Sequence, residues 1–294
     1  MKILLHTSRR ARRAFTMVEI AICLAIIGFA LVAIIGILPI GMSVQKDNRE
    51  ETVINFDAQY LLNAIRSGAL GQDELTNYII SITNIYTDYN ANMIFQGRGT
   101  NWYSQSGVGG SYYAVVPVSP ATKPGVPVLT NGLNIIGLLS TPKWTQDSKG
   151  FFRSNYVQAD FRAITGSPMD QGTSQTSKDF AFTYRIFPEI VPFGVADGSL
   201  TNWNTNNITL ADKTARFTYA TYVTNLQPNL NEIRLRFRWP ILPNGQTGPG
   251  NQIFRSVVGG AIRSTNFYAP MYYFQPQTFV SGQSVYAGGK PFLP

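Results

Sequence analysis

The longest apolar stretch of the chain runs from Ile20 to Met42, where 23 consecutive positions carry no charged or strongly polar side chain. An α-helix of that length rises about 35 Å, enough to cross a hydrocarbon core about 30 Å thick. The apolar part of an ordinary secretory signal is only about 7–15 residues long. The pattern therefore predicts a membrane-spanning helix over residues 20–42.

A helical pattern continues beyond the apolar stretch. Residues 43–66 contain neither proline nor glycine, and four apolar residues recur there at three- and four-residue spacing: Ile54, Ala58, Leu61 and Ile65. This spacing is typical of an amphipathic helix, and Ser67-Gly68 supplies a stop signal. We predict one helix over residues 15–66, about 78 Å long, whose second half is covered by a folded head.

The pattern changes after residue 67 to apolar and aromatic runs separated by Gly, Ser, Pro and Asn, which is typical of strands joined by turns. In the clearest run, Ile233–Trp239, arginines alternate with apolar residues, so one face is buried and the other is wet. The turn-rich residues 243–250 predict an antiparallel hairpin with the next strand. The predicted strands are Tyr112–Val116, Phe151–Ile164, Phe180–Phe187, Arg216–Val223, Glu232–Trp239 and Gln252–Ile262, and a short helix is predicted over Gln72–Ile82.

These elements predict an α+β fold, in which a long N-terminal helix packs on a mainly antiparallel β-sheet head formed by residues 67–294. The composition agrees with a folded protein, since 44% of the 294 residues are hydrophobic and 14% are charged.

The net charge of +8 is concentrated at the amino terminus. Five of the 24 basic residues lie in residues 1–14, which contain no acid, so the remainder carries only +3. A basic segment before a membrane span favours a cytoplasmic amino terminus, with the head outside the cytoplasm. The expected location is the inner, cytoplasmic membrane, crossed once.

A motif lies where the basic segment meets the apolar stretch, and it reads Ala14-Phe15-Thr16-Met17-Val18-Glu19-Ile20. It resembles the processing site of type IV prepilins and type II secretion pseudopilins, in which a small residue, usually glycine, precedes a phenylalanine. The resemblance covers about the first 50 residues. It implies a pilin-like fold, cleavage between Ala14 and Phe15 by a prepilin peptidase, removal of residues 1–14 as a leader, and N-methylation of Phe15.

The resemblance also implies a role for Glu19. A cut before Phe15 creates an α-ammonium group that is mostly positive at neutral pH, and the family's glutamate neutralises the amine of a neighbouring subunit during filament assembly. The implied partners are the peptidase, other pilin-like subunits, and an inner-membrane assembly platform with its ATPase. Three residues that weaken a helix, Gly36, Pro39 and Gly41, either bend it during assembly or aid helix packing in lipid.

The side chains present in the sequence do not favour catalysis. The single histidine, His6, belongs to the leader, so the mature chain would lack every histidine-dependent triad or zinc site. The sequence contains no P-loop and no D-x-D-x-D-G calcium loop. We therefore expect no enzymatic activity, no cofactor and no metal.

The alternating arginines Arg234, Arg236 and Arg238 belong to a segment, residues 233–294, that has six positive charges and no carboxylate. Such a face could bind DNA or an acidic partner subunit, but it is more often the solvated side of a sheet. We expect the solvated side here and no nucleic-acid partner.

The sequence leaves three functions open. The first is a minor or large pseudopilin of a type II secretion system, which the 280 residues of the cleaved chain favour. The second is a minor pilin of a type IV pilus, for adhesion, motility or DNA uptake. The third is a single-span anchor that carries a periplasmic binding or carbohydrate-active domain.

Overall fold

The computed structural model describes residues 15–68, 73–90, 92–104, 108–114, 129–146, 151–166, 181–192, 226, 228–266, 270–276 and 278–279. The predicted strand Arg216–Val223 lies outside these residues. The chain divides into two units, residues 1–52 and residues 53–294. Helix α1, Met17–Ser67, is 51 residues long and belongs to both.

Helix α1 confirms the predicted long apolar N-terminal helix. In its second part the apolar stripe is buried, since Ile54, Leu61 and Ile65 are each at most 1% exposed. Burying one such side chain stabilises the fold by about 1.5–3 kcal/mol relative to leaving it in water. Gly68 follows with φ of 71°, a left-handed conformation that favours glycine after a helix.

Ten strands are seen in the described part of the chain. Their bounds are β1 Ile79–Tyr89, β2 Phe95–Tyr103, β3 Val108–Ala114, β4 Trp144–Gln146, β5 Phe152–Arg162, β6 Thr183–Pro192, β7 Leu230–Ile241, β8 Thr247–Gly259, β9 Ala261–Asn266 and β10 Pro270–Gln275. A 3-10 helix, Asp73–Asn77, precedes β1, and helix α2, Gly132–Leu139, follows β3.

The strands form an antiparallel sheet in the order β3-β2-β1-β5-β6-β7-β8, with β4 paired to β5, and β9 pairs with β10 in a second sheet. The α+β layout and the β7–β8 hairpin predicted from the sequence are therefore confirmed. One face of the large sheet contributes Ile82, Ala159, Ile186 and Phe237 to the hydrophobic core. The core also contains residues of the second part of α1 and of α2. The opposite face of the large sheet is called the outer face below.

The predicted helix over residues 72–82 is wrong. Only a 3-10 turn forms at Asp73–Asn77, and β1 begins at Ile79. The three-residue spacing of Ile79, Ile82 and Ile85 resembles that of a helix. In a regular strand, residues three apart lie on opposite faces, but a register shift between Ile79 and Ser81 allows Ile79 and Ile82 both to lie in the core.

Candidate functional site

The amino-terminal motif folds into a local hydrogen-bond cycle at the start of α1. The backbone N–H of Thr16 donates to Glu19 Oε2 at 2.8 Å, and the Thr16 hydroxyl donates to the same oxygen at 2.9 Å. The backbone N–H of Glu19 donates to Thr16 Oγ1 at 3.3 Å. This is the reciprocal capping box of a T-x-x-E sequence, which satisfies donors that the first helical turn leaves free.

The predicted site residues fall into two groups. Phe15 is 82% exposed and lies beside the capping box, whereas Ala14 lies outside the described residues. The second group, Gly36, Pro39 and Gly41, begins 17 residues beyond Glu19, about 26 Å along the helix. The two groups therefore do not form a single site.

Helix α1 continues through Pro39 without interruption. Proline has no N–H, so the carbonyl of Ile35 loses its usual helical partner, and one turn later the Ser43 hydroxyl donates to the carbonyl of Ile40 at 2.8 Å. Nothing lies within 4 Å of a Cβ built at Gly36 or Gly41. No contact among the described residues therefore requires glycine at these two positions.

The first part of α1 carries a large exposed apolar surface. Eighteen large apolar side chains between Phe15 and Val44 are each at least half exposed. Because an apolar surface of this size is unfavourable in water, it requires lipid or an apolar partner. In the part of the chain that the structure describes, α1 is the one helix long and apolar enough to span a membrane.

A buried carboxylate, absent from the sequence predictions, lies further along α1. Asp57 is 0% exposed and accepts four hydrogen bonds. The donors are the Ile164 N–H at 2.9 Å, the Thr165 N–H at 2.8 Å and hydroxyl at 2.6 Å, and the Tyr184 hydroxyl at 2.8 Å. Burial raises the pKa of the Asp57 carboxyl, and the hydrogen bonds oppose this rise. The sequence signal was an acid beside the apolar stripe, between Ile54 and Ala58.

The alternating arginines lie on the outer face, as their strand pattern predicts. Arg234 donates to Glu232 at 2.6 Å and lies 3.6 Å from Glu189. The Arg234 guanidinium holds the pKa of the Glu232 carboxyl below its usual value. Arg236 and Arg238 are exposed and have no ion pair within the described residues.

Two bidentate ion pairs join neighbouring strands. Arg185 on β6 binds Asp160 on β5 at 2.6 and 2.9 Å. Arg153 on β5 binds Asp88 on β1 at 2.6 and 3.0 Å, and its guanidinium lies 4.1 Å from the centroid of the Tyr86 ring. These pairs fix strand register and leave neither carboxylate free for acid–base chemistry.

The described residues contain no group of three or more His, Cys, Asp or Glu side chains that could hold a metal ion. The chain was also compared with protein-family models, curated proteins and solved structures, and none of them matches it. The functional assignment therefore depends on the residues and their geometry.

Proposed function

We propose that this chain is a pilin-like structural subunit, which a prepilin peptidase processes and which assembles into a type II secretion pseudopilus or a related filament. Its size favours a minor or large pseudopilin. We further propose that the head contributes no catalysis, and that it faces the periplasm or the exterior while the basic amino terminus faces the cytoplasm.

The observation that carries the proposal is a carboxylate at the exposed start of an apolar helix. Glu19 lies in the first turn of α1. The apolar side chains that follow it along the helix are exposed. An acidic side chain beside a membrane span costs free energy unless it has a partner. A neighbouring subunit that brings both an apolar helix and an N-terminal amine would supply both missing contacts.

The capping box adds a requirement to this pairing. Cleavage between Ala14 and Phe15 keeps the Thr16 N–H and hydroxyl in the chain, so the processed helix retains its cap. Glu19 Oε2 is already bound to Thr16, whereas no hydrogen bond to Oε1 occurs among the described residues. One carboxylate can therefore cap its own helix through Oε2 and offer Oε1 to a neighbour's amine.

The direct test is intact mass and N-terminal sequencing of the protein from membranes of cells that contain a prepilin peptidase. We expect a chain that begins at N-methylated Phe15. Replacing the small residue before the cut by a bulky one, Ala14→Leu, should leave the leader attached, and Ala14→Gly should still be cut.

A chain that retains Met1 in the presence of active peptidase would contradict the proposal and favour a plain single-span anchor. Once the cut is shown, purification of the intact filament and identification of its other subunits would separate a secretion pseudopilus from a type IV pilus.

A further inference from the structure

The outer face of the large sheet brings together aromatic side chains from four strands. Trp102 on β2 is 47% exposed, Tyr113 on β3 is 73% exposed and Tyr156 on β5 is 52% exposed. Phe187 on β6 is half-buried, and its ring centroid lies 5.5 Å from that of Tyr156. Exposed rings arranged in this way offer flat surfaces on which other rings can stack.

The cross-strand register places an arginine directly beside each of two rings, and a third arginine beside another arginine. Arg98 pairs with Tyr113, Arg236 pairs with Phe187, and Arg238 pairs with Arg185. Directly paired residues lie on the same face of a sheet. The face extends over five strand intervals from β3 to β7, about 24 Å at about 4.8 Å per interval.

The three carboxylates that the structure describes on the outer face already have cationic partners. Asp160 binds Arg185, Glu189 binds Lys143, and Glu232 binds Arg234. By contrast, Arg98, Arg236 and Arg238 are exposed and have no ion pair in the described part of the chain. Among the described residues of this face the unneutralised charge is therefore positive, and an anionic partner would complement it.

We propose that the outer face binds single-stranded nucleic acid. Unpaired bases would stack on Trp102 and Tyr156, and phosphate groups would bind the guanidinium groups of Arg236 and Arg238. Stacking rings combined with a cationic surface are the two components of sequence-tolerant single-strand binding. A duplex would present phosphates but hide its base faces, and an acidic protein would supply charge without the series of flat rings.

This inference differs from the sequence prediction and goes beyond the proposed filament role. The arginine alternation alone predicts a solvated face, because it gives no information about distant strands. The structure places rings from β2, β3, β5 and β6 on the same face as the arginines of β7. The juxtaposition of exposed rings with three arginines that have no ion pair among the described residues is what points to this ligand.

The test is fluorescence anisotropy with the full chain in detergent and a labelled oligothymidine of about 15 nucleotides. We expect binding whose affinity falls as salt rises. Trp102→Ala and Tyr156→Ala should each weaken it about 5- to 150-fold, the range for loss of one stacked base. Arg236→Glu should weaken binding and reduce the slope of log affinity against log salt by about 0.7, the value for one lost phosphate contact.

The matched controls lie outside the strands of the large sheet. Arg263→Glu makes the same charge change at an exposed position on β9, and Phe279→Ala removes a ring that is 68% exposed. Both should bind as the unaltered chain does. All variants should show the same unfolding transition as the unaltered chain. Trp102→Ala and Tyr156→Ala test the stacking prediction independently of each other.

Several results would overturn the proposal. The first is no binding at about 50 mM salt, where phosphate contacts are strong. The second is equal weakening of binding by Arg263→Glu and Arg236→Glu. The third is binding of the matching duplex that is as tight as that of the single strand, or tighter. Equal competition by polyglutamate at matched charge would also overturn it, because it would show attraction to any polyanion. None of these results bears on the leader cleavage that tests the filament role.

Discussion

At the scale of single residues, two carboxylates on the same helix have opposite surroundings. Glu19 is exposed at the first turn of α1, and Thr16 is the one hydrogen-bond partner of its carboxylate among the described residues. Asp57 is buried in the second unit and accepts four hydrogen bonds from Ile164, Thr165 and Tyr184. Glu19 can still bind a new partner, whereas both carboxylate oxygens of Asp57 already accept hydrogen bonds within the head.

Substitution of Glu19 can separate helix capping from charge pairing. Glu19→Gln retains an oxygen for the Thr16 N–H, since glutamine also serves in a capping box, but it loses the negative charge. Glu19→Ala loses both. If the charge pairs with a neighbour's amine, both variants should insert and be cleaved but fail to enter filaments, as measured by the amount of subunit in sheared filaments. Normal incorporation of Glu19→Gln together with failure of Glu19→Ala would assign Glu19 to capping only.

Replacing Asp57 by asparagine should destabilise the head. The amide group would place a donor where Asp57 Oδ2 now accepts from the Ile164 N–H and the Tyr184 hydroxyl. Leaving a buried donor unpaired costs about 1–3 kcal/mol. We expect a loss of that size in the free energy of unfolding, measured by urea titration of tryptophan fluorescence. Tyr184→Phe removes one donor and leaves the carboxylate intact, so its loss should be smaller.

The pH dependence of unfolding should carry the signature of Asp57. Burial raises its folded-state pKa above the unfolded value of about 3.9. The stability contributed by this group is therefore full below the unfolded pKa and declines as pH rises through the folded pKa. The difference in unfolding free energy between the unaltered chain and Asp57→Asn should shrink as pH rises above about 4. A difference that grows with pH would show that the folded-state pKa is lowered.

At the scale of elements, the strands with clean alternation are the ones that the sequence predicts well. The predicted strand Glu232–Trp239 corresponds to β7, Leu230–Ile241, and the predicted Phe151–Ile164 corresponds to β5, Phe152–Arg162. Helix α2 and strand β2 were not predicted. Strand β2 contains Gly97 and Gly99, residues that usually indicate a turn. Gly99 is accommodated in the strand because the Tyr86 ring fills the space above it.

Gly99 gives an element-level test of that explanation. A Cβ built there would overlap the ring of Tyr86, which lies over the glycine backbone. Gly99→Ala should therefore lower the free energy of unfolding by about 1–3 kcal/mol, the usual cost of overpacking. Gly259→Ala is the matched control on β8, where the nearest atom to the new Cβ is 4.0 Å away. Urea unfolding measures both, and equal losses would contradict the packing explanation.

At the scale of the whole molecule, two units with different environments share one helix. Residues 15–52 expose an apolar surface, whereas residues 53–294 contain the buried core. Hydropathy and the basic leader predict that the first unit lies in a membrane and the second outside the cytoplasm. This orientation stays a prediction, and the chemistry of the chain offers a direct test.

The single cysteine, Cys23, permits the topology test. In a Cys23→Ser background, Arg263→Cys should react with a membrane-impermeant maleimide in intact spheroplasts, because the head is outside. Lys2→Cys, combined with Ala14→Leu to retain the leader, should react only after lysis. The opposite pattern would reverse the orientation.

Properties that depend only on neighbouring residues follow from the amino-acid sequence. These are the long apolar helix, the alternation of the strands and the β7–β8 hairpin, since helical and strand periodicity and turn chemistry are local. The sequence also contained the amino-terminal motif, whose T-x-x-E spacing already encodes the capping box.

Contacts between distant residues are seen only in the folded structure. It paired Asp57 with donors more than 100 residues away, placed Tyr86 over Gly99, and gathered aromatic rings from four strands on the face that carries the arginines. The physical reason is that cross-strand register and helix-to-sheet packing are set by the total burial of apolar surface and the pairing of buried polar groups. Neither quantity can be read from the pattern of a single segment.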